Sequence, residues 1–336
     1  ENIINETPVS SKEEKEDTEE TKIKQDELKK DLCYEIKHSD IMGRYVVATR
    51  DIKPGEVIIE APALVNAFEV GGSGANARAL YDAAFLLAHD CTPSTTHTDA
   101  ERKPGRPLTG TLKRREHLKL SKFFECACKR CSDPTELGTY ASAFRCPKCS
   151  SRVLPTTPLI QAAPWRCESC VYEMPATAVQ VLLKRLTDDF DQIDANDVTG
   201  FETFLTKYRN VLHDSHYLCL SAKHSLSQLY GKVTDYMIHQ MSETLLQRKV
   251  EICRDLMKVF DVIEPGYSRL RGITLYELHA PLMVLTTRDF ERKAITKENL
   301  RIRLKETRDL LMCKKKFCPN NNFTKDTRTI NSFTTH

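Results

Sequence analysis

Two CxxC pairs near the middle of the chain lie seventeen residues apart. Cys146 and Cys149 stand in CPKC, and Cys167 and Cys170 stand in CESC after an interval of seventeen residues. This spacing is typical of a structural zinc ribbon, in which two tight turns direct four thiolates at one ion. Two unrelated reduced pairs are a poorer interpretation, because the intervening loop is short and proline-rich. The sole tryptophan, Trp165, is expected to pack on this ribbon.

A second group of cysteines lies just upstream in FFECACKRC, at Cys126, Cys128 and Cys131. A closed structural zinc site takes four ligands, so a distant residue must complete the set. The residues with suitable chemistry are, in order of preference, Cys91, then His89 or His117, then Cys33. A three-ligand site holding water would instead be catalytic, but Glu125 is the one acid beside the triplet and is expected to face solvent.

Charge is unevenly distributed, although the formal net charge is only +3. Residues 1–31 carry eleven acids, six lysines and no aromatic residue, which is typical of a solvated helix or a disordered leader. Residues 102–130 reverse the balance, with ten lysines and arginines against two acids. This run could bind nucleic acid, but the sparse aromatic residues favour a solvated helix face. Basic neighbours expected to favour thiolates in the triplet are Lys122, Lys129 and Arg130.

Composition excludes several classes of protein. With 336 residues, 40% hydrophobic and 29% charged, the chain can form one large or two medium globular domains. No window reaches the roughly 18 to 20 apolar residues of a membrane span, and the acidic start does not resemble a signal peptide. The cysteine spacing is not that of a secreted disulfide framework. We therefore expect a soluble protein of the cytoplasm or nucleus with no membrane association; its start at Glu1 is typical of a processed or incomplete product.

Hydrophobic periodicity predicts the elements that position these cysteines. Residues 34–65 read as short strands around a Pro54-Gly55 turn, with β-branched residues in VV and EVII. A helical pattern covers 77–89. From Pro175 to about Met312, apolar residues recur every three or four positions, which predicts five to seven antiparallel helices. The helical pattern is interrupted at Pro265-Gly266.

The order of three segments resembles the SET-domain protein lysine methyltransferases, specifically the arthropod branch of the SET-and-MYND-domain group. The segments are GRYVVATRDIKPGEVI, LLAHDCTPS and RREHLKLSKFFECACKRC, continued by DPTELGTYASAFRCPKC. The resemblance runs from about Tyr34 to Met312. In that family a cysteine of an Asn-His-x-Cys motif joins three cysteines after the SET domain around one zinc ion, which implies Cys91 as the fourth ligand here.

The resemblance implies an α+β fold with three parts: a truncated SET-type β region, a cysteine-rich post-SET zinc region, and a C-terminal antiparallel helical domain of tetratricopeptide-like type. The predicted organisation is a charged leader at 1–31, an incomplete SET domain at 32–120, the post-SET region with its ribbon at 121–174, the helical domain at 175–312 and a disordered tail at 313–336.

The sequence departs from the family at positions that serve catalysis. The MYND finger and a long insert are missing after Val65, as is the strand with a tyrosine that borders the lysine channel. The Gly-x-Gly turn of the cofactor site reads Gly43-Arg44-Tyr45, and a side chain replaces the second glycine. The Asn-His pair reads Ala88-His89. Positions left to contact S-adenosylmethionine are Gly43, Arg44, His89 and Phe124; a local turn for His89 and core packing for Phe124 are the alternatives.

The predicted function is therefore that of a SET-family protein-lysine N-methyltransferase relative that is impaired or inactive. Losing one positioned catalytic group costs about 10²- to 10⁴-fold, and we assign no catalytic residue. The alternative is a non-catalytic zinc-containing scaffold whose helical domain binds a protein or peptide, with histones as candidates; a nucleic-acid binder is less favoured. Expected cofactors are two zinc ions and, where the eroded site still binds it, S-adenosylmethionine.

Overall fold

The computed structural model describes residues 33–40, 43–54, 56–58, 68–70, 77–79, 89–92, 108–266 and 268–317. These residues belong to two compact units. The first unit takes residues up to 67 together with 79–88, and the second takes residues 68–78 and all residues from 89 onwards. The predicted leader at 1–31 lies outside the described residues, as does the tail beyond 317.

The first unit contains a two-stranded antiparallel hairpin. Strands β1 (Tyr34–Ser39) and β2 (Gly43–Ala48) pair from Tyr34 opposite Ala48 to Ser39 opposite Gly43. The predicted strand in EVII is not formed over residues 56–58. Instead the carboxylate of Glu56 accepts hydrogen bonds from the Lys53 amide at 3.0 Å and from Arg50, so its side chain closes a turn where a strand was expected.

A second small sheet pairs β3 (Phe68–Val70) with β4 (Ala77–Ala79). The helix predicted over 77–89 is described only at its ends, where residues 77–79 form this strand and residue 89 has no regular structure. The remainder of that predicted helix lies outside the described residues.

The cysteine-rich region consists of two short helices and a ribbon. Helix α1 (Thr111–Lys122) ends at Phe123, which has a left-handed backbone with φ of 60°, and α2 (Lys129–Ser132) is a single turn. Strands β5 (Phe144–Arg145), β6 (Arg152–Pro155), β7 (Trp165–Cys167) and β8 (Glu173–Met174) follow as an antiparallel sheet in that order.

Six α-helices occupy the described part of the chain after residue 175, within the predicted range of five to seven. They are α3 (Ala176–Asp191), α4 (Val198–Lys207), α5 (Tyr217–Leu229), α6 (Glu243–Ile263), α7 (Arg269–Glu291) and α8 (Lys297–Phe317), with a 3-10 turn at Thr234–Tyr236. From α4 onwards, each helix packs on the next.

Polar caps and one glycine set the ends of these helices. Asp197, Ser242 and Ser268 accept hydrogen bonds from backbone amides in the first turns of α4, α6 and α7, which satisfies donors that lack helical partners. The predicted break after α6 is present, and Gly266 there has φ of 78°, a conformation that glycine adopts without steric cost.

Helix α8 continues past Met312, where the sequence analysis ended the helical region, and reaches Phe317. Lysines and other unbranched residues have high helix propensity, and positive charge near a helix C-terminus interacts favourably with the helix dipole. The KKK run read from composition as part of a tail therefore extends the helix by one more turn.

One hydrophobic core joins the ribbon to the helices. Phe144, Val153 and Trp165 of the ribbon belong to the same cluster of buried residues as Leu183 and Leu212. Backbone hydrogen bonds also cross the predicted domain limit, from Arg145 N to Val211 O at 2.8 Å and from Tyr217 N to Ala141 O at 2.8 Å. The boundary at 174/175 thus remains a prediction from the sequence, whereas the packing is continuous across it.

The predicted α+β class is confirmed: small antiparallel sheets, cysteine clusters and a helical C-terminal region share one chain. Within the described segments, no helix combines the length and apolar character needed to cross a bilayer.

His216 lies inside the shared core as the cap of α5. Its Nδ1 accepts a hydrogen bond from the Leu218 amide at 3.2 Å, and its ring packs between Phe144 and Tyr217 at centroid distances of 5.3 and 4.5 Å. The side chain is fully buried. Burial, with a smaller contribution from nearby His213, lowers the pKa of His216 to about 3, so this histidine is neutral in the folded protein.

We expect the fold to become less stable as the pH is lowered, partly because of this residue. In the unfolded chain His216 binds a proton below about pH 6.5, while the folded protein keeps it neutral down to about pH 3. Stability from His216 is therefore present above pH 6.5 and lost as pH falls. Between pH 7 and pH 5 the unfolding free energy should drop by about 2 kcal/mol more than in His216→Asn, a variant that keeps a capping side chain. Urea unfolding of both proteins at pH 7, 6 and 5 measures this difference; parallel pH profiles would show that His216 binds its proton equally well in the folded and unfolded states.

Candidate metal centres

The ribbon brings together the four thiols of its two CxxC pairs. The CPKC turn joins β5 to β6 and the CESC turn joins β7 to β8, so the two turns meet at one end of the sheet. Cys146 Sγ lies 3.6 Å from Cys170 Sγ, and Cys149 Sγ lies 3.4 Å from Cys167 Sγ. All four sulfurs lie within 4.8 Å of one another. A tetrahedral zinc site with bonds of about 2.3 Å places its sulfurs about 3.8 Å apart, so this spacing fits one zinc ion.

Backbone amides stabilise negative charge on the ribbon thiols. Lys148 N donates to Cys146 Sγ and Ser169 N donates to Cys167 Sγ, both at 3.4 Å. Cys149 is exposed, and a backbone hydrogen bond from Ser151 lowers the pKa of its thiol to about 6. Hydrogen bonds to the charged form favour that form, so these turns are suited to hold thiolates.

The second cluster joins Cys91 to the three cysteines of FFECACKRC. Cys91 Sγ lies 3.8 Å from Cys126 Sγ and 3.5 Å from Cys131 Sγ, and with Cys128 all four sulfurs lie within 4.8 Å of one another. Cys126 and Cys131 are buried at 3% and 0% exposure. Leu118 and Leu159 pack on the cluster, and such an apolar shell restricts the access of water to a metal site.

Two of the other candidates for the fourth ligand, His117 and Cys33, lie elsewhere. His117 is an exposed residue of α1, and Cys33 is a buried residue of the first unit whose thiol points to the Ile58 carbonyl at 3.9 Å. His89 adjoins the cluster, with Nε2 3.4 Å from Cys91 Sγ. The structure thus groups Cys91 with the triplet, and His89 lies beside it.

A buried ionic network of three side chains lies beside this second cluster. Arg114 Nη2 donates to Cys131 Sγ at 3.7 Å, and Arg130 Nη1 donates to the Cys91 carbonyl at 3.4 Å. Both guanidinium groups bind the carboxylate of Glu136, Arg114 at 2.6 Å and Arg130 at 3.3 Å. The three side chains are 7%, 0% and 2% exposed, so the network is almost completely withdrawn from solvent.

Glu136 is the centre of this network. Its carboxylate also accepts hydrogen bonds from the Ser142 hydroxyl and from Thr111 N, the latter at 3.2 Å. Burial alone would raise the pKa of Glu136, but Arg114 and Arg130 lower it below its usual value. The backbone of Glu136 is left-handed, with φ of 50°, a conformation that is costly for a residue with a side chain. The ionic contacts and the turn built on Asp133, which accepts from Leu137 N at 2.7 Å, stabilise it there.

The charges of the network fit a metal-thiolate site. A hydrogen bond from the Cys91 thiol lowers the pKa of Cys131 to about 5, and Arg114 adds to this effect. Two buried guanidinium groups against one carboxylate leave a net positive charge, which is costly to bury unless negative charge lies beside it. Thiolates on a bound zinc ion would supply that charge. Each cluster offers four protein ligands, and a four-ligand zinc site is closed and structural because no position remains for a reacting water.

The positions assigned to S-adenosylmethionine lie in both units. Gly43 and Arg44 begin β2 in the first unit. In the second unit, the rings of His89 and Phe124 meet edge to face at a centroid distance of 5.3 Å, and Phe124 is 37% exposed. Phe124 is therefore not a core residue, and His89 contacts both this ring and the cysteine cluster.

Sequence reasoning missed the two residues that contribute most to the setting of the second cluster. Arg114 appeared only within the basic run of 102–130, and Glu136 was not considered. Of the three basic neighbours expected to favour thiolates, Arg130 is buried against the cluster, whereas Lys122 and Lys129 are exposed. The helical periodicity of α1 could have identified Arg114, since Arg114 lies one turn before the buried Leu118 and shares its face. Glu125 faces solvent as expected and pairs with Lys119 at 2.7 Å.

Part of this chain is similar in sequence to known proteins. No protein-family model matches the chain. Isoform B of SET domain-containing protein SmydA-8 from Drosophila melanogaster is 36% identical over 135 residues, which cover 33% of this chain and 30% of that protein. Isoform A is 34% identical over 135 residues, with 33% and 29% covered. The chain therefore matches less than a third of the length of these relatives. The matches confirm the resemblance predicted from the motifs: over about a third of its length, this chain is homologous to a SET domain-containing protein of the SET-and-MYND family.

Proposed function

We propose that this chain is a relative of the SET-type protein-lysine methyltransferases that holds two structural zinc ions and transfers methyl groups slowly or not at all. The observation that carries the zinc part is the presence of two sets of four thiols, each set within 4.8 Å. The ligands are Cys91, Cys126, Cys128 and Cys131 for one ion and Cys146, Cys149, Cys167 and Cys170 for the other.

The methyltransferase part rests on descent. The relatives are named as SET domain-containing proteins, and the family to which the motifs point transfers a methyl group from S-adenosylmethionine to a protein lysine. Methyl transfer of this kind requires a deprotonated lysine held in line with the sulfonium carbon. The sequence lacks the strand and tyrosine that border the lysine channel in the family, and Arg44 stands beside Gly43 where a second glycine is expected.

Methyl transfer by this chain should therefore stay at background. With histone peptides and radiolabelled S-adenosylmethionine, we expect label incorporation equal to that of a boiled sample, because the loss of positioned groups costs about 10²- to 10⁴-fold each. Equilibrium binding of labelled S-adenosylmethionine is measured in parallel. Robust turnover that is lost in His89→Ala but kept in His117→Ala, a matched exposed histidine of the same unit, would overturn the proposal of an impaired enzyme and show that His89 serves a working site.

A scaffold that binds a protein or peptide is the second candidate function. The observation that favours it is the continuous core of ribbon and helices, which holds the helices together independently of any catalytic site. Stacked helix pairs can present an extended surface to a peptide. Isothermal titration with histone tail peptides, which is independent of turnover, tests this function.

Nucleic-acid binding has less support from the structure. Three arginines of the basic run make internal contacts: Arg114 and Arg130 bind Glu136, and Arg115 donates to the carbonyls of Cys126 and Leu159 at 3.0 and 2.7 Å. Arginines used in this way are not available to phosphates. We expect DNA and RNA binding too weak to show the steep salt dependence typical of phosphate contacts.

A further inference from the structure

The two thiol clusters differ in how negative charge on their sulfurs is stabilised. The ribbon cluster uses backbone amides, from Lys148 and Ser169, and its Cys149 is open to solvent. The cluster around Cys131 has no exposed cysteine, since Cys126 and Cys131 are buried and Cys91 and Cys128 are half-buried, and a guanidinium group donates a hydrogen bond to its Cys131 sulfur. Water therefore screens the charge of the ribbon site, whereas protein charges must balance the buried site.

The ionic network supplies a balancing charge of the right sign. Among the described residues, the ion pairs of Arg114 and Arg130 with Glu136 leave one formal positive charge. Four thiolates on Zn²⁺ leave two formal negative charges. In a site of low effective dielectric constant, charges a few ångströms apart interact far more strongly than in water. The network and the metal-thiolate group therefore stabilise each other, and each is costly to bury without the other.

The carboxylate of Glu136 lowers the net positive charge of the network and also holds the two guanidinium groups in place. Without a carboxylate, two buried guanidinium groups would repel each other beside the cluster. With it, each is held in place by a direct ion pair, and the whole network is anchored to the first turn of α1 through Thr111 N and to Ser142. Gly110 lets these groups approach, since a Cβ there would lie 2.5 Å from the Ser142 hydroxyl oxygen.

We propose that Arg114 and Arg130, held by Glu136, are positioning residues that set the net charge around the buried cysteine cluster and so govern how tightly that cluster, and not the ribbon, retains zinc. This inference rests on the proposed function, in that it requires a metal on Cys91, Cys126, Cys128 and Cys131. It assigns to Arg114 and Arg130 an effect on the zinc affinity of that site, and counting the ligands does not reveal this effect.

The test compares the 336-residue chain and three variants of it by zinc competition with a chromophoric chelator. Arg114→Met removes one positive charge and should weaken zinc binding by about 10- to 100-fold at one of the two sites, the range typical for loss of a group that contacts a metal ligand. Arg152→Met is the matched control, because Arg152 lies in the ribbon and pairs with Glu168 at 2.5 Å. The zinc affinity of this variant should be unchanged at both sites.

The double variant Arg114→Met/Glu136→Gln separates charge from packing. It restores the net positive charge of the network through Arg130 alone, although it has fewer hydrogen bonds than Arg114→Met. If the network acts through its charge, the double variant should regain most of the lost zinc affinity, to within about threefold of the wild type. A merely structural role predicts the opposite, a further loss.

The affected site is identified by the rate of thiol alkylation, read by peptide mass spectrometry. In Arg114→Met the cysteines at 126, 128 and 131 should react faster than in the wild type, while those at 146 and 149 should be unchanged. Equal zinc affinity in wild type and Arg114→Met, faster reaction at the ribbon, or no recovery in the double variant would each overturn the inference. A wild-type protein that holds fewer than two zinc ions would instead contradict the proposed function itself, so the two failures are distinguishable.

Discussion

Removing zinc from the purified chain should expose Trp165 and unfold the cysteine-rich region. Small structural zinc sites contribute apparent free energies of about 10 to 16 kcal/mol each, which matches or exceeds the about 5 to 15 kcal/mol that stabilise a whole domain. Apart from its packing on the helices, the ribbon has little regular structure of its own, since β5 and β8 are two residues long. Loss of both ions should therefore unfold residues 121–174.

Unfolding of the ribbon should also affect the nearest helices. Phe144 and Trp165 lie in one cluster with Leu183 of α3 and Leu212 before α5, so these helices lose part of their packing. Helices α6 and α7 retain contacts of their own, among them the fully buried Leu256 and Phe260. We expect a partial decrease of the helical signal and not its disappearance.

Tryptophan fluorescence and circular dichroism measure the two effects in one titration with chelator. Trp165 is the sole tryptophan and is 3% exposed, so its emission should shift to the red as zinc leaves. Zinc-saturated chelator, which has no capacity left to take zinc from the protein, is the control. Unchanged emission after complete removal of zinc would mean that the ribbon is held by its packing alone.

The second large effect is expected from Phe144→Ala. Phe144 is 1% exposed, packs on Trp165 and His216, and forms a backbone bridge with Leu212. Truncation of a buried phenylalanine typically costs about 3 to 5 kcal/mol, and here it weakens the contact between ribbon and helices. Because both parts share the core, stability should fall for both parts together.

Urea unfolding followed by Trp165 emission and by helical circular dichroism tests this shared core. We expect both signals of Phe144→Ala to move to lower urea by the same amount. The control Phe290→Ala alters a phenylalanine that is 37% exposed in α7, and should shift the midpoint little. A loss confined to the tryptophan signal would show that residues 175–312 unfold independently, as the boundary drawn from the sequence implies.

Local sequence patterns predicted the elements and ligands that depend on nearby residues. The ribbon cysteines follow from spacing because each CxxC turn is local, and the helices follow from their apolar period. The residues alone favoured Cys91 as the fourth ligand but could not exclude the histidines, because 35 residues separate Cys91 from Cys126. The family resemblance was needed to make that choice. Its place in the cluster is a property of the tertiary fold.

The errors in prediction have a common physical cause, which is competition from long-range or side-chain contacts. The EVII strand is absent at residues 56–58 because the Glu56 side chain closes a turn with Lys53. The Arg114–Glu136 pair spans 22 residues and depends on a left-handed backbone at Glu136, which no residue preference indicates. The packing of the ribbon on the helices could not be predicted in the same way, because periodicity describes each helix and not the surface on which it packs.

Counting zinc ions by native mass spectrometry tests the central claim most directly. Protein purified without chelator should carry two zinc ions, Cys131→Ser and Cys149→Ser should each carry one, and Cys219→Ser should keep two, since Cys219 is a buried cysteine outside both clusters. Wild-type protein with one ion or none, or two ions retained in either cluster variant, would contradict the account.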